Sequence, residues 1–321
     1  PRALHRDPAR VLRVKGTNSA LASSQIHSAL ASGLRPSART ATPAARRPRL
    51  SSKIDPYRAI DRQRQPQSYV EHLEERGRTP AQARLRRRFL RFAKLARGQR
   101  VLEVGSGTGI VSRDAAALVG PRGRVIGVDP SRVMTEAARR FARRLGQGRR
   151  LVHEVGDGAR LRFAAGRFDR VFAVTVLLHV QDSDAILDDM LRVTRPGGIL
   201  AVQDQDFGSL TLDHPDRALT ARIMDGVVAR MYPDPWSGRT LFGRLVRLGL
   251  GRVRLFVDVY EDTTLEPYTH AMLTRRALNA VRLGLASAGA AARWMAAVER
   301  LAASGQFAFT LNYYAARGVK P

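Results

Sequence analysis

No cysteine occurs among the 321 residues. Disulfides, thiolate metal centres and every reaction through a cysteine nucleophile are excluded with it. Lysine is nearly missing as well: Lys15, Lys53, Lys94 and Lys320 are the only four, so arginine carries almost all of a net charge of +27. Such a balance admits an anionic partner such as RNA. The same arginine skew beside abundant alanine is also what a GC-rich coding sequence produces, so charge alone assigns no partner. Long apolar runs are absent. The longest, VFAVTVLLHV at 171–180, is broken by Thr175 and His179 and is too short to span a bilayer. No transmembrane segment is expected, and the cytoplasm is the expected location.

Acids are scarcest at the start. The first 53 residues hold eleven basic side chains against one acid, Asp7, with much Ala, Ser and Pro and no sustained apolar period. Residues 1–53 therefore read as a disordered extension. Arg-rich, Ser-rich and acid-poor is also the composition of an organelle transit peptide, which leaves import as an alternative. Residues 54–321 are left as the folded domain.

What is present after that is a regular alternation. Thr79 and Pro80 form an N-cap and first-position pair, followed by Leu85, Phe89, Phe92 and Leu95 at helical spacing. RVLEV (100–104) reads as a strand and 110–119 as a helix. RVIGVD (124–129), LVHEV (151–155), RVFAVT (170–175) and ILAVQD (199–204) are further strands. Helices are expected over 133–145 and 184–194, and RPGG (195–198) as a turn. Short apolar strands separated by amphipathic helices imply a parallel sheet covered on both faces. Residues 215–249 and 267–304 read as mainly helical. VRLFVDVYE (253–261) and FAFTLNYYAARG (307–318) read as strands, the second a return strand completing the sheet.

Chemistry enters at VLEVGSGTG (101–109). A buried strand ending in a glycine-rich turn that opens a helix is a ligand site at the carboxyl edge of a doubly wound sheet. The spacing of Gly105, Gly107 and Gly109 is G-x-G-x-G, whereas the dinucleotide fingerprint is G-x-G-x-x-G. Glu103 opposes a pyrophosphate and suits a cationic amino-acid end. Asp129 closes the second strand, where a carboxylate accepts both hydroxyls of a ribose. Asp157 follows the third strand, in reach of an adenine amino group. Ribose, adenine and an ammonium-bearing tail together describe S-adenosylmethionine.

VLEVGSGTG, VIGVDPSRVM, VGDGARLRF, FDRVFAVTVLLHV and LRVTRPGGILAV resemble, in order and spacing, the successive motifs of class I S-adenosylmethionine-dependent methyltransferases, most of all the ubiquinone/menaquinone-biosynthesis type. The resemblance covers about residues 80–210 and the closing TLNYYAARGVKP. It implies an α/β fold, a doubly wound, mostly parallel seven-stranded sheet with an antiparallel last strand and helical insertions at about 208–250 and 262–305. It also implies roles. Glu103 would meet the methionine amino group, and Gly105, Ser106 and Gly107 would line the methionine. Asp129 would hold the ribose, and Met134 would pack on the adenine. Asp157 and the Gly158 amide would read the adenine edge, and Thr175 would sit below the sulfonium.

Methyl transfer from a sulfonium asks mainly for positioning, so a general base is needed only when the nucleophile holds a proton tightly. His179 and Asp204 stand near strand ends, and His214 precedes a helix for which Asp213 is a possible cap. The expected acceptor is a small molecule, apolar or aromatic given Met231, Tyr232, Trp236 and Tyr268 in the insertions. Nucleic acid is disfavoured, because TVLLHV does not resemble the loop that grips a flipped base. An RNA methyltransferase, an NAD-dependent oxidoreductase and a non-catalytic binding protein remain as alternatives.

Overall fold

Strand alternation decides the architecture. In β1 (Arg100–Val104), Val101 joins one apolar cluster with Phe89, Val111 and Phe172. Leu102 and Val104 join another with Val171, Ile186 and Leu200. A strand that is apolar on both sides must be covered on both sides. The structure, a computed structural model, describes residues 55–321; the extension expected over 1–53 lies outside the described residues.

Among the described residues two helices precede β1, α1 (Pro66–Arg78) and α2 (Pro80–Phe92), themselves preceded by a 3-10 turn over Pro56–Arg62. Thr79 caps α2 as its sequence implies, its hydroxyl accepting from the Gln82 amide at 3.3 Å. Helix α3 (Ile110–Val119) leads to β2 (Arg124–Asp129), and α4 (Arg132–Arg144) to β3 (Leu151–Val155). Strand β4 (Phe168–Val174), α5 (Ser183–Val193) and β5 (Thr194–Leu212) follow. After β5 come α6 (Arg217–Met231) and α7 (Ser237–Arg247), then β6 (Gly251–Asp262). Helices α8 (Pro267–Arg282) and α9 (Ala288–Ala303) lead to the last strand, β7 (Phe309–Val319).

The seven strands form one sheet in the order β3-β2-β1-β4-β5-β7-β6. Strands β1 to β5 pair in parallel, and β7 runs antiparallel to both β5 and β6. The order reverses between β1 and β4, and the crevice outside their carboxyl ends is where open sheets of this kind bind ligands. A third apolar cluster, with Phe207, Ile223, Tyr260, Leu273, Trp294 and Phe309 at its centre, fills the space between α6, α8, α9 and the far half of the sheet.

Three local readings change. The RPGG turn is a loop-out inside a continuous β5: Phe168 pairs with Thr194 and Arg170 with Ile199, so Arg195–Gly198 have no partner on β4, and Gly197 adopts φ 69°. Strand β5 also runs eight residues beyond its expected end at 204, because β7 offers an antiparallel partner past the parallel part of the sheet. The cap of α6 is Asp216, which accepts from the Leu219 amide at 2.9 Å, not Asp213. The segment 56–78 gave no signal. Helix α1 buries only Val70, Glu74 and Gly77, too few apolar positions for a readable stripe.

Helix α2 is fixed to the sheet by Phe89, which is fully buried and meets Phe172 edge to face at 5.8 Å. Phe89→Ala is expected to lower unfolding stability by about 3–5 kcal/mol. Urea denaturation with an unchanged midpoint would show that α2 contributes little to the fold.

Candidate functional site

The site begins where β1 ends. Gly105, Gly107 and Gly109 all have positive φ, the left-handed region that glycine enters at no steric cost. At Gly105 space is equally decisive: an added Cβ would lie 2.4 Å from Val176 Cγ2. The Gly105 and Ser106 amides both donate to the Val128 carbonyl, at 2.7 and 3.0 Å, which binds the loop to β2.

Asp129 completes that binding. One carboxylate oxygen accepts from the Gly107 amide at 2.8 Å and the other from the Ser131 amide at 2.9 Å. Each oxygen retains a lone pair for a ligand hydroxyl. Burial pushes this carboxyl up to about 6, against the pull of the two amides. Glu103, one strand over, is 1% exposed and accepts from the Ser112 hydroxyl. It makes no ion pair among the described residues. Burial, with Asp129 adding to it, raises its carboxyl to about 8.

One cavity of about 770 Å³ gathers these groups. Glu103, Gly105, Ser106, Gly107, Asp129 and Met134 line it, and so do Asp157, Thr175 and His179. Met134 is at the same time fully buried beside Ile60, Val70 and Ala137. Asp157 is exposed at the rim, its Oδ1 accepting from the Ala159 amide at 3.0 Å. Gly158 lies behind the wall, packed so that a Cβ would come within 2.6 Å of Val104 Cγ1. Thr175 follows β4 directly at φ 56°, a conformation that costs a β-branched residue about 1–3 kcal/mol, and its amide donates to the Gln203 carbonyl at 2.8 Å.

His179 is held from one side. Its Nδ1 lies 2.5 Å from Asp55 Oδ2, and the Asp55 side chain is wholly buried. Tyr57 and Tyr232 stand against the ring at 5.0 and 5.8 Å between centroids.

Asp204 and His214 do not reach the cavity. Along β5, Gln203 and Gln205 line it, so the alternation of strand side chains turns Asp204 to the opposite face. There Asp204 accepts from the Leu178 amide at 3.0 Å and the Ser237 hydroxyl at 2.9 Å, fastening α7 below β4, and burial raises it to about 6. His214 uses both ring nitrogens locally, Nδ1 accepting from the Asp216 amide and Nε2 meeting the Trp294 carbonyl. The parity of β5 was available in the sequence once the strand was placed.

Other walls were not foreseen. The 3-10 turn and α1 bring Tyr57, Tyr69, His72 and Arg76 over the opening, and α8 adds Arg275 and Arg276. The helical spacing of Tyr268, Met272, Arg276 and Asn279 on α8 was the signal that could have found that face. This roof is tied to the loop region. Asp61 accepts from the Ser131 hydroxyl and from the Arg132 and Val133 amides at 2.8 and 3.4 Å, so the 3-10 turn supplies the acid that caps α4. Glu74 on α1 pairs with buried Arg113 on α3 at 2.8 Å.

The donor set fits the ligand that the sequence motifs imply. A buried carboxylate without a cation suits an ammonium, the Asp129 lone pairs suit ribose hydroxyls, and Gly105 keeps the floor low. The Gly105–Gly109 loop brings no cationic side chain to the place a pyrophosphate would take and has Glu103 beside it, so a dinucleotide fits poorly.

Comparison with known proteins agrees with this. A family model described as a methyltransferase domain matches residues 101–198. The chain is 32% identical over 250 residues to an uncharacterized 37.1 kDa protein in transposon TN4556 of Streptomyces fradiae, covering 76% of this chain and 69% of that protein. It is 42% identical over 126 residues to a demethylmenaquinone methyltransferase of Parafrankia sp., covering 35% of this chain and 48% of that enzyme. The chain spans about half, or less, of the length of the curated methyltransferases it matches. Among solved structures, Haemonchus contortus phosphoethanolamine N-methyltransferase 2, in complex with phosphomonomethylethanolamine and S-adenosylhomocysteine, shares the fold. Its TM-score is 0.54 at 21% identity, over 83% of this chain and 60% of that one.

The raised carboxyl of Glu103 gives a pH dependence with a definite sign. In the free protein Glu103 holds its proton below about pH 8, and an ammonium favours the ionised form. Affinity for S-adenosylmethionine is therefore expected to rise with pH through the neutral range, level off above about 8, and release protons on binding. Glu103→Gln should flatten that dependence and weaken binding about tenfold or more. The free variant should be no less stable than wild type at about pH 8, since it removes a buried charge. Calorimetry showing affinity independent of pH in the wild type would remove Glu103 from the ligand.

Proposed function

Because this chain belongs to the class I S-adenosylmethionine-dependent methyltransferases, we propose that it moves the methyl group of that cofactor by in-line displacement to a small acceptor with an apolar or aromatic body. The observation that carries the reading is the meeting of Glu103, Asp129, Asp157, Thr175 and His179 on one cavity. When bound, S-adenosylmethionine would supply an electrophilic methyl carbon on a sulfonium that leaves as a neutral thioether.

The residues around it do the rest. Glu103 holds the ammonium, Asp129 the ribose hydroxyls and Asp157 the adenine edge, with Met134 and the Gly105–Gly107 loop as packing surface. Thr175 sits at the floor, between the cofactor side and the acceptor side. Positioning in a site closed to water provides most of the rate. The roof of Tyr57 and Tyr69, together with α6 and α8, acts as the lid. Phe207, Val227, Met231 and Met272 on its inner side supply apolar wall, which is the support for an apolar or aromatic acceptor.

His179 takes the acceptor's proton where the nucleophile carries one. With Nδ1–H donating to Asp55, the imidazole is held in the tautomer whose Nε2 is the acceptor, and no described residue bonds that nitrogen. Asp55 acts through His179 as a positioning residue.

Incubating the purified chain with methyl-labelled S-adenosylmethionine and a fractionated cell extract is expected to label a low-molecular-mass fraction and release S-adenosylhomocysteine in step. Label confined to RNA, or no release, would overturn the reading. His179→Gln should lower turnover about a hundredfold with the cofactor affinity kept, and Asp55→Asn should displace the pH profile of turnover. Equal rates and profiles in both variants would return the pair to a packing role.

A further inference from the structure

The walls of the cavity divide by charge. Its acids, Glu103, Asp129, Asp157 and Asp182, all come from loops and strand ends of the sheet. Helices α1 and α8 contribute Arg76, Arg275 and Arg276 and no acid. None of these three arginines forms an ion pair among the described residues. Arg76 donates to the Tyr313 hydroxyl at 3.1 Å and lies 5.4 Å over the Tyr268 ring, and Arg275 meets His72 Nε2 at 3.0 Å. Burial, with Arg275 and Arg76 adding to it, lowers His72 to about 3, so it stays neutral beside them and offsets no charge.

Arg276 is the telling member. It is 4% exposed, and its Nε, Nη1 and Nη2 atoms have no hydrogen-bond partner. Its guanidinium carbon lies 4.8 Å from the centroid of the Phe207 ring, and the Tyr232 and Tyr268 hydroxyls are within its field. Asp225, the acid whose field reaches it, is exposed on α6 and makes no ion pair with it. An arginine stays charged under all ordinary conditions, so it cannot escape by losing its proton. Leaving that fork of donors buried and unpaired costs several kcal/mol, and a cation over a ring offsets only about 2 kcal/mol of it. A group that arrives with the ligand would complete the balance.

We infer that the methyl acceptor carries an oxyanion, a carboxylate or a phosphate monoester, which seats on the Arg276 guanidinium with Arg275 and Arg76 beside it. The inference rests on the methyltransferase reading for the word acceptor, but not for the anion site. A planar fork of N–H donors matches two oxygens of either group. The acceptor is thereby amphiphilic: an apolar or aromatic body against Phe207, Met231 and Met272, and a negative end on α8. The field also acts on a neighbour. Burial alone would raise the Tyr268 hydroxyl, yet Arg76 and Arg275 hold it below its ordinary value.

The test uses the whole chain saturated with S-adenosylhomocysteine and three probes of one shape: phenylacetate, its neutral amide phenylacetamide, and phenyl phosphate. At least one of the two anions is expected to bind by calorimetry about tenfold or more tighter than the amide, and the better of the two tells carboxylate from phosphate. Arg276→Met should lose that preference while binding S-adenosylmethionine within about twofold of wild type. Arg276→Lys, which keeps the charge without the fork, should retain part of it and serves if the methionine variant fails to fold. Equal binding of amide and anions, no binding of any probe, or an unchanged preference in the variants overturns the inference. Failure of S-adenosylmethionine to bind wild type would instead overturn the methyltransferase reading, and phenylacetate against phenylacetamide, without the homocysteine, would still decide the anion site.

Discussion

One carboxylate organises the binding edge of this protein. Asp129 takes the amide of Gly107 with one oxygen and that of Ser131 with the other, so the glycine loop after β1 and the start of α4 are set by the same side chain. A buried amide and a half-buried one are satisfied at once, and drift of either segment would leave a donor unpaired. The remaining lone pairs face the cavity. The side chain that fixes the loop therefore also lines the cavity, beside Glu103, Gly105 and Met134.

Around that fixed edge the cavity has two characters. Toward the sheet it is lined by acids, two of them with raised pKa, an environment that gains from a positive ligand group. Toward α1 and α8 it is lined by Arg76, Arg275 and Arg276, which form no ion pair among the described residues. A low-dielectric space with opposite charge at its two ends orients any molecule that is itself polar along its length. The fold holds both unsatisfied ends apart without letting them pair, because the acids ride on parallel strands and the arginines on helices packed across from them.

The sheet and the glycine loop at its edge were legible in the sequence because both rest on short-range rules. Alternating apolar residues with turns between them give strands buried on two faces. The glycines of 105–109, which must accept positive φ and close packing, mark the loop without reference to anything distant. The acceptor side was not legible in the same way. Asp204 was read into the pocket by its place at a strand end, whereas side-chain parity along β5 gives the cavity to Gln203 and Gln205. Helix α1 buries so few apolar residues that it has no stripe, and it is held instead by the Glu74–Arg113 pair, a tie that joins residues far apart in the chain. Arg276 looked like one arginine among about fifty. Only the third dimension separates the one with no partner from the many that have solvent.

The Asp61 contact makes the roof and helix α4 a single latch. Lifting the 3-10 turn away from the cavity would strip the Ser131 hydroxyl and the Arg132 and Val133 amides of their shared acceptor. The first turn of α4, which adjoins Asp129, would then begin to fray. Displacement of the roof and loosening of the loop edge beside Asp129 are thus tied to each other through one side chain.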